Sequence, residues 1–434
     1  MMVLIMDSKT YCPYPWVSLM THPGGAIGYC CVASSTLKHP DGSEQNIKNG
    51  DTLTAAWNSP HMQDIRNRMI RGDRVQGCEG CYRAEAQGFE SYRQRYIRDW
   101  SHIDPANRQV VNTMDNGTVD SLPIYLDFRL STLCNLKCRM CTPQNSSQLF
   151  REFTRIDSNN SHDGEFLKRN YTWGNFGSGL DNWADSELFL SDVENLLPHV
   201  NKLYFTGGEP TLIERVYWIL NRCVELGIND KIELQFNSNM TNAQSRFIEL
   251  LEKFPRVLMC VSVDAVGELN EYIRGASHWS SADANIRKYA ASNIEGELLF
   301  TPVIQSYNIL NIVELLDYCE TLEMISGRTI NVNFLNCDFP PSLNYMLLPQ
   351  AVRDLAASRI INWMERSTRL INRSHVMTNI RATVDLLQGP GIDDDKLWSD
   401  FVRYTRLLDR QRNESFSSSC SELYAMIKDR YEQN

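Results

Sequence analysis

Between Leu122 and Asn336 the chain carries six short runs of β-branched and aromatic residues: LPIYLDFRL (122–130), KLYFT (202–206), IELQFN (232–237), VLMCVSVD (257–264), ELLFTPVI (297–304) and INVNFL (330–335). Polar or turn-forming residues bound each run, which predicts six strands. Apolar residues recur at helical spacing between them, near 211–226, 243–253, 283–292 and 309–322. This alternation predicts an α/β fold of parallel βα units. The middle of the first crossover, 157–182, is rich in Asn, Ser, Gly and Asp and predicts an inserted loop. Beyond Pro340 and Pro341 the strand signal stops, and Val352, Leu355, Ala356, Ile360, Trp363 and Met364 repeat as on a helix. QGPGIDDD (388–395) then breaks the pattern before a helix carrying Leu397, Phe401, Tyr404 and Leu408. Three regions are expected: an N-terminal module over 1–110, a core over 120–340 and a helical C-terminal region over 341–434.

Composition narrows the class of partner. The 434 residues include 43 Lys and Arg against 53 Asp and Glu, a net charge of -10, which disfavours a DNA-coating or anionic-membrane role. No run reaches the roughly 18 to 20 apolar residues of a membrane helix, and MMVLIMDSKT lacks the features of a signal peptide. A cytoplasmic location without a membrane partner is expected. Thirteen cysteines, an odd number, then point to metal or redox chemistry rather than a disulfide framework. Cys223, Cys260, Cys319, Cys337 and Cys420 stand singly, mostly in apolar contexts, and are expected to be buried.

The remaining cysteines are grouped. Directly after the first strand, STLCNLKCRMC places Cys134, Cys138 and Cys141 in a C-x3-C-x2-C arrangement. Iron-sulfur clusters are normally held by four thiolates, so three on one loop leave one iron open to another ligand. A structural zinc site wants a closed four-ligand shell, and neither His nor a fourth Cys lies nearby. The spacing resembles the radical S-adenosylmethionine (radical SAM) superfamily, although Met140 stands where an aromatic residue is usual.

Further segments follow the other strands. The second run ends in Gly207, Gly208, Glu209 and Pro210, the third in Asn237, Ser238 and Asn239, and the fourth in SVD, with Ser262 and Asp264. Gln305 and NCDFPP follow the fifth and sixth. Singly, each polar residue serves as readily to cap a strand or helix. Collectively they fall at the carboxyl ends of strands, where active sites of parallel βα barrels lie. The resemblance therefore implies a partial (β/α)6, TIM-like barrel. It also implies that the GGE segment holds the amino group of the cofactor's methionine, that the NSN and SVD positions bind its ribose and carboxylate, and that Arg274 reaches that carboxylate.

A second cysteine group precedes the barrel. Cys12, Gly25 and Cys30 form C-x12-G-x4-C, and Cys78 and Cys81 add a C-x2-C pair. This resembles the twitch and SPASM modules that hold auxiliary 4Fe-4S clusters, here N-terminal and in the shorter form. Glycine spacing favours Cys30 over Cys31 as the third ligand. A zinc ribbon from the same four cysteines is open on spacing alone, and His22 and His39 are expected to be solvated. Eight arginines between Arg66 and Arg98, with Phe89, Tyr92 and Tyr96, admit RNA contact or, more ordinarily, a solvated face. Asp409, Arg410 and Arg412 are expected to be helix-surface charges.

The resemblance implies reductive cleavage of S-adenosylmethionine to a 5′-deoxyadenosyl radical that modifies a C–H bond of a peptide or protein. A flavodoxin or ferredoxin is the implied electron donor. Alternatives are dehydrogenation of a small molecule, RNA modification, and a non-catalytic zinc-binding scaffold.

Overall fold

The computed structural model describes residues 9–86, 90–100, 110, 112–171 and 182–433. The N-terminal segment 1–8, Phe89 and the stretch 172–181 of the expected inserted loop lie outside the described residues.

The elements run in the following order. Strands β1 (Ser18–Thr21) and β2 (Ile27–Gly28) precede helices α1 (Pro60–Arg71), α2 (Glu79–Ala86) and α3 (Tyr92–Trp100). Next come β3 (Tyr125–Phe128), α4 (Ser147–Asn159), α5 (Ser161–Tyr171), α6 (Glu187–Leu196), β4 (Lys202–Phe205), α7 (Glu214–Glu225) and β5 (Glu233–Ser238). Then follow α8 (Ser245–Leu251), β6 (Arg256–Val261), α9 (Glu268–Arg274), α10 (Trp279–Ala290), β7 (Gly296–Phe300), β8 (Val303–Ile304) and α11 (Ile312–Ser326). Last are β9 (Ile330–Val332), β10 (Leu335–Asn336), α12 (Gln350–Arg366), α13 (Ser374–Gln388), α14 (Asp395–Arg412) and α15 (Ser421–Glu432). The α/β class and the parallel strands of a partial barrel follow the sequence.

Two compact units divide the chain and cut across the expected three-part organisation. One comprises Met1–Thr132, Gly177–Phe236 and Lys253–Pro255; the other comprises Leu133–Phe176, Asn237–Glu252 and Arg256–Asn434.

In the first unit β3 pairs in parallel with β4, and β4 with β5, aligning Leu126, Leu203 and Leu234 across the strands. β3 is buried throughout, whereas β4 and β5 alternate, as strands do when only one face meets the core. Phe205 stacks on Phe236 with ring centroids 5.1 Å apart. The N-terminal module adds a strand that the sequence did not reveal: β1 pairs in parallel with β3 and turns back antiparallel into β2. Gly25, the glycine of the C-x12-G-x4-C spacing, makes that turn at φ +86°, where a Cβ would lie 2.7 Å from Asn46 Oδ1.

The arginine-rich stretch is structural. Arg66 is fully buried and donates to the carbonyls of Pro15, Trp57 and Gly117 and to Asn58 Oδ1. Arg93 pairs with Glu85, and Arg68, Arg71, Arg74, Arg95 and Arg98 pair with Asp64, Asp73, Glu79 and Glu90. Seven of the eight arginines are thus engaged within the chain. Of the aromatics, Tyr96 stacks on Tyr14 at 3.6 Å and Tyr92 is exposed.

In the second unit β6, β7 and β9 are parallel neighbours. The fifth and sixth expected strands are each split, into β7 and β8 and into β9 and β10. Pro302 has no N–H to give a ladder, and its carbonyl accepts from Leu335 N instead, starting the short parallel pair β8 and β10. Residues 157–171 are helical rather than an inserted loop. Their polar residues are caps and close-contact positions: Asn160 Oδ1 accepts from the His162 and Asp163 amides, and a Cβ on Gly164 would lie 1.8 Å from Asp157 Oδ1. Leu149, Phe153, Ile156, Phe166, Leu167 and Tyr171 form the buried side of this α4–α5 pair. The C-terminal region is helical as expected, with α14 starting at an Asp394 side chain that accepts from Leu397 N. Cys223, Cys260, Cys319, Cys337 and Cys420 are all buried. Among the described residues no helix is long and apolar enough to cross a membrane.

Replacing Arg66 by Met should leave three buried carbonyls without a donor. At about 1.5 to 3 kcal/mol for a hydrogen bond to a charged group, the loss should reach several kcal/mol. Chemical denaturation of Arg66→Met should show a midpoint well below that of the parent chain; an unchanged midpoint contradicts this role.

Candidate functional site

The cysteine loop belongs to the second unit and is held by backbone before side chains act. Lys137 N donates to Gly275 O and Arg139 N to Ile273 O, at 2.9 and 2.8 Å, so the loop runs against the end of α9 like a short ladder. Gly275 has φ +33°, and a Cβ there would lie 2.8 Å from Lys137 O; only glycine permits this approach. On the loop's other side Ser146 caps α4 and donates to Leu136 O at 2.7 Å, while Ser147 Oγ contacts both the amide and the carbonyl of Cys134.

Polar segments that follow β5 and β6 meet this loop. Asn135 Nδ2 donates to Thr241 Oγ1 at 2.8 Å, and Asn239 Nδ2 donates to Asn135 Oδ1 at 3.1 Å. Asn239 Oδ1 accepts from both the amide and the hydroxyl of Thr241, around Met240 at φ +57°. Ser238 is buried at the end of β5, next to the half-buried Asn237, and its carbonyl accepts from Ser262 N at 2.8 Å. Asp264 and Arg274 are both buried and meet in an ion pair with an N–O separation of 2.8 Å, a charge contact rather than an aligned hydrogen bond. Arg274 also brings its carbonyl to 3.7 Å and Nη1 to 3.9 Å from Cys138 Sγ. Val303 N donates to Asp264 Oδ1, and Asn308 Nδ2 to the Asp264 carbonyl. Beside them Gln305 is fully buried, and among the described residues its Oε1 has no hydrogen-bond partner, an acceptor whose burial is costly unless a ligand meets it.

Electrostatics at the loop disfavour free thiolates. Burial pushes the Cys138 thiol up, against the opposing charge of Arg274, and pushes Cys141 up to about 12. A coordinating metal reverses this preference, because its charge deprotonates the thiol.

In the first unit the GGEP segment is built for close approach. Gly207 has φ +108°, and a Cβ would sit 3.1 Å from Arg129 Cβ. Gly208 N donates to Ser131 O at 3.1 Å. Glu209 is buried, with Oε1 accepting from the amide and hydroxyl of Thr211, and Pro210 begins a short 3-10 turn.

A second thiol group in the same unit surrounds a cavity whose lining includes Cys12, Cys30, Cys78 and Cys81 together with Tyr14 and Arg93. Gly77 lets the C-x2-C turn pack on Tyr29, whose hydroxyl would lie 1.9 Å from a Cβ. Cys31 is not among the lining residues; its sulfur lies 3.2 Å from Tyr96 Oη. Its contact with Cys30 holds the Cys31 thiol down at about 7 and raises Cys30, while burial raises Cys12 and pushes Cys78 up to about 11. Among the described residues no three His, Cys, Asp or Glu side chains come together as a single ion requires. Four thiols spread around a cavity suit a four-thiolate iron-sulfur cluster. The expected solvated histidines are otherwise engaged: burial pushes His22 down to about 4, and His39 pairs with Asp51 at 3.1 Å.

Sequence reasoning missed Asn135, Thr241, Gly275 and Asn308, which join the segments to one another. Asn135 and Gly275 stand inside or beside quoted motifs and were readable there; Thr241 and Asn308 carry no signal beyond polarity near a strand end.

The radical SAM superfamily model matches residues 128–319, and the SPASM iron-sulfur cluster-binding domain matches residues 12–82. No curated protein matches the chain. Among solved structures, SuiB of Streptococcus suis bound to S-adenosylmethionine aligns at 15% identity and TM-score 0.36, covering 73% of this chain and 63% of that one. SuiB bound to the precursor peptide SuiA aligns at 13% and 0.35, covering 74% and 66%. The chain therefore spans less than two thirds of the length of these structures. With a three-thiol loop in the matched core and four thiols around a cavity in the matched N-terminal segment, the chain carries a radical SAM domain and an N-terminal iron-sulfur cluster-binding domain, and these domains imply S-adenosylmethionine and 4Fe-4S clusters as cofactors.

Proposed function

We propose that this enzyme oxidises or otherwise modifies a C–H bond of a peptide or protein, using S-adenosylmethionine at the iron left open by Cys134, Cys138 and Cys141. The observation that carries the reading is the three-thiol loop joined by direct hydrogen bonds to the polar segment after β5, with the Asp264–Arg274 pair that follows β6 lying against Cys138. When bound, the reduced cluster and S-adenosylmethionine supply a 5′-deoxyadenosyl radical able to take hydrogen from an unactivated carbon. The chain's own residues bind and orient, and exclude water that would admit side reactions.

In this reading Gly207 and Gly208 leave room for the methionine end, with Glu209 and Pro210 fixing the turn. Asn237, Ser238, Asn239 and Ser262 offer short polar groups to the ribose. Arg274, oriented by Asp264, faces a carboxylate, and Gln305 Oε1 accepts from a ligand donor. Cys12, Cys30, Cys78 and Cys81 complete a four-thiolate shell with no open iron, which suits electron acceptance from a substrate radical rather than cofactor cleavage. The peptide or protein substrate is supported by the auxiliary module, since resembling enzymes with such modules act on peptides and proteins as well as small molecules. A cytoplasmic enzyme served by a flavodoxin or ferredoxin completes the proposal, and thirteen free thiols suit a reducing compartment.

Anaerobic reconstitution should give about eight irons per chain, two 4Fe-4S clusters. Cys134→Ala should lose about half of them and all reductive cleavage of S-adenosylmethionine; retention of cleavage would falsify the assignment. Cys78→Ala should lose the other half yet still release 5′-deoxyadenosine, uncoupled from substrate modification. Iron analysis of the doublet should separate its members: Cys30→Ala loses the auxiliary iron and Cys31→Ala keeps it, and the reverse result assigns the ligand to Cys31. Incubated with host-cell peptide and metabolite fractions, the loaded enzyme should change the mass of a peptide, whereas a change confined to small metabolites contradicts the proposed substrate.

A further inference from the structure

The loop's two cations stand between its cysteines, Lys137 before Cys138 and Arg139 after it. Neither is left to solvent. Lys137 Nζ lies 2.9 Å from Glu152 Oε1 of α4, and the same carboxylate receives Arg412 at the end of α14, Nη2 to Oε2 at 2.6 Å and Nε to Oε1 at 3.1 Å. The Arg412 and Glu152 side chains are each only 2% exposed. Arg139, fully buried, has Nη2 2.6 Å from both Asp409 Oδ1 and Glu414 Oε2. Its guanidinium lies 3.7 Å over the ring of Tyr272, whose hydroxyl also donates to Asp409. Tyr404 of α14 donates to the Arg139 carbonyl at 2.8 Å. Asp409 and Arg412, expected to be surface charges, belong to this buried network, while Arg410 is exposed and reaches Asp163.

Three cations therefore meet three carboxylates in two clusters beside the loop, Lys137 and Arg412 on Glu152, and Asp409 and Glu414 on Arg139. Charges act strongly where water is scarce, and an unpaired cation near an iron-sulfur cluster favours its more negative, reduced form. Cluster potentials respond to nearby charge and solvent exposure in this way. Pairing Lys137 and Arg139 with carboxylates removes that bias while fixing the loop's path.

We infer, resting on the radical SAM reading above, that Asp409, Arg412 and Glu414 are positioning residues of the radical site. Asp409 and Glu414 neutralise Arg139, and Arg412 fixes Glu152 against Lys137, so the loop is held from α14 and the turn after it with both of its cations paired, keeping the cluster a strong reductant. The network is assembled from segments far apart in sequence, so the C-terminal helix takes part in the chemistry of the core without touching the cofactor.

Glu414 is the most accessible of the three carboxylates, with 24% of its side chain exposed, so Glu414→Gln should fold. Its iron content should equal that of the parent chain. In an EPR-monitored redox titration of the full chain, the signal that responds to S-adenosylmethionine should titrate at a more positive potential, and cleavage under a fixed weak reductant should slow. Glu414→Asp should return both toward the parent values. Arg412→Met should lose iron selectively from the three-thiol site, about half the total, with Arg412→Lys restoring it. A folded, fully loaded Glu414→Gln with an unshifted potential overturns the inference while leaving the functional reading intact. A parent chain that shows no such responsive signal sinks the functional reading, and this inference with it.

Discussion

A guanidinium enclosed within the cysteine loop sets the terms for the second unit. Arg139 has no exposed side-chain surface, and an uncompensated charge so placed would cost several kcal/mol. Asp409 and Glu414 supply the compensation, Tyr272 supplies a ring face, and the carbonyl of Tyr272 accepts from Nε. These partners come from α9, α14 and the turn after it, so each of those elements is placed by the same ion. Lys137 extends the arrangement to α4 through Glu152. Three thiols on a short loop leave little redundancy in ligation, and a rigid loop is what keeps a coordination position open instead of collapsed.

The two thiol groups illustrate different solutions to one problem. Burial disfavours thiolate at both, pushing Cys141 up to about 12 and Cys78 up to about 11, so neither group is suited to being a free nucleophile. At the N-terminal cavity four cysteines come from three separate segments, on either side of the β1–β2 turn and at the start of α2. At the loop three cysteines come from one segment, and the ligands beyond them must be sought from polar groups after the strands.

Much of this was legible in the sequence. Parallel strands with few solvent-facing positions read as plain β-branched and aromatic runs, which is why all six were placed near their observed positions. Cys134, Cys138, Cys141 and GGEP could be singled out because ligand chemistry, where it applies, constrains residue type and spacing together. β1 was not: SLMT is four residues long and lies in a segment rich in Pro, Gly and Cys. The α4–α5 pair hid for a different reason, since its Asn, Ser and Gly serve as caps and as a close-packing point, roles that share their composition with loops. Asp409 and Arg412 looked like surface charges because helical periodicity registers apolar faces only. Their partners, Arg139 and Glu152, lie more than 250 residues away in the chain, beyond the reach of any local pattern.

The central claim is that an incompletely coordinated iron at Cys134, Cys138 and Cys141 receives S-adenosylmethionine directly. EPR of the anaerobically loaded, reduced protein tests it, comparing the cluster signal before and after addition of S-adenosylmethionine carrying ¹⁷O in its carboxylate. The account predicts a shifted signal broadened by the isotope in the parent chain and neither effect in Cys138→Ala. A parent signal that ignores the nucleotide, in protein carrying a full complement of iron, would contradict it.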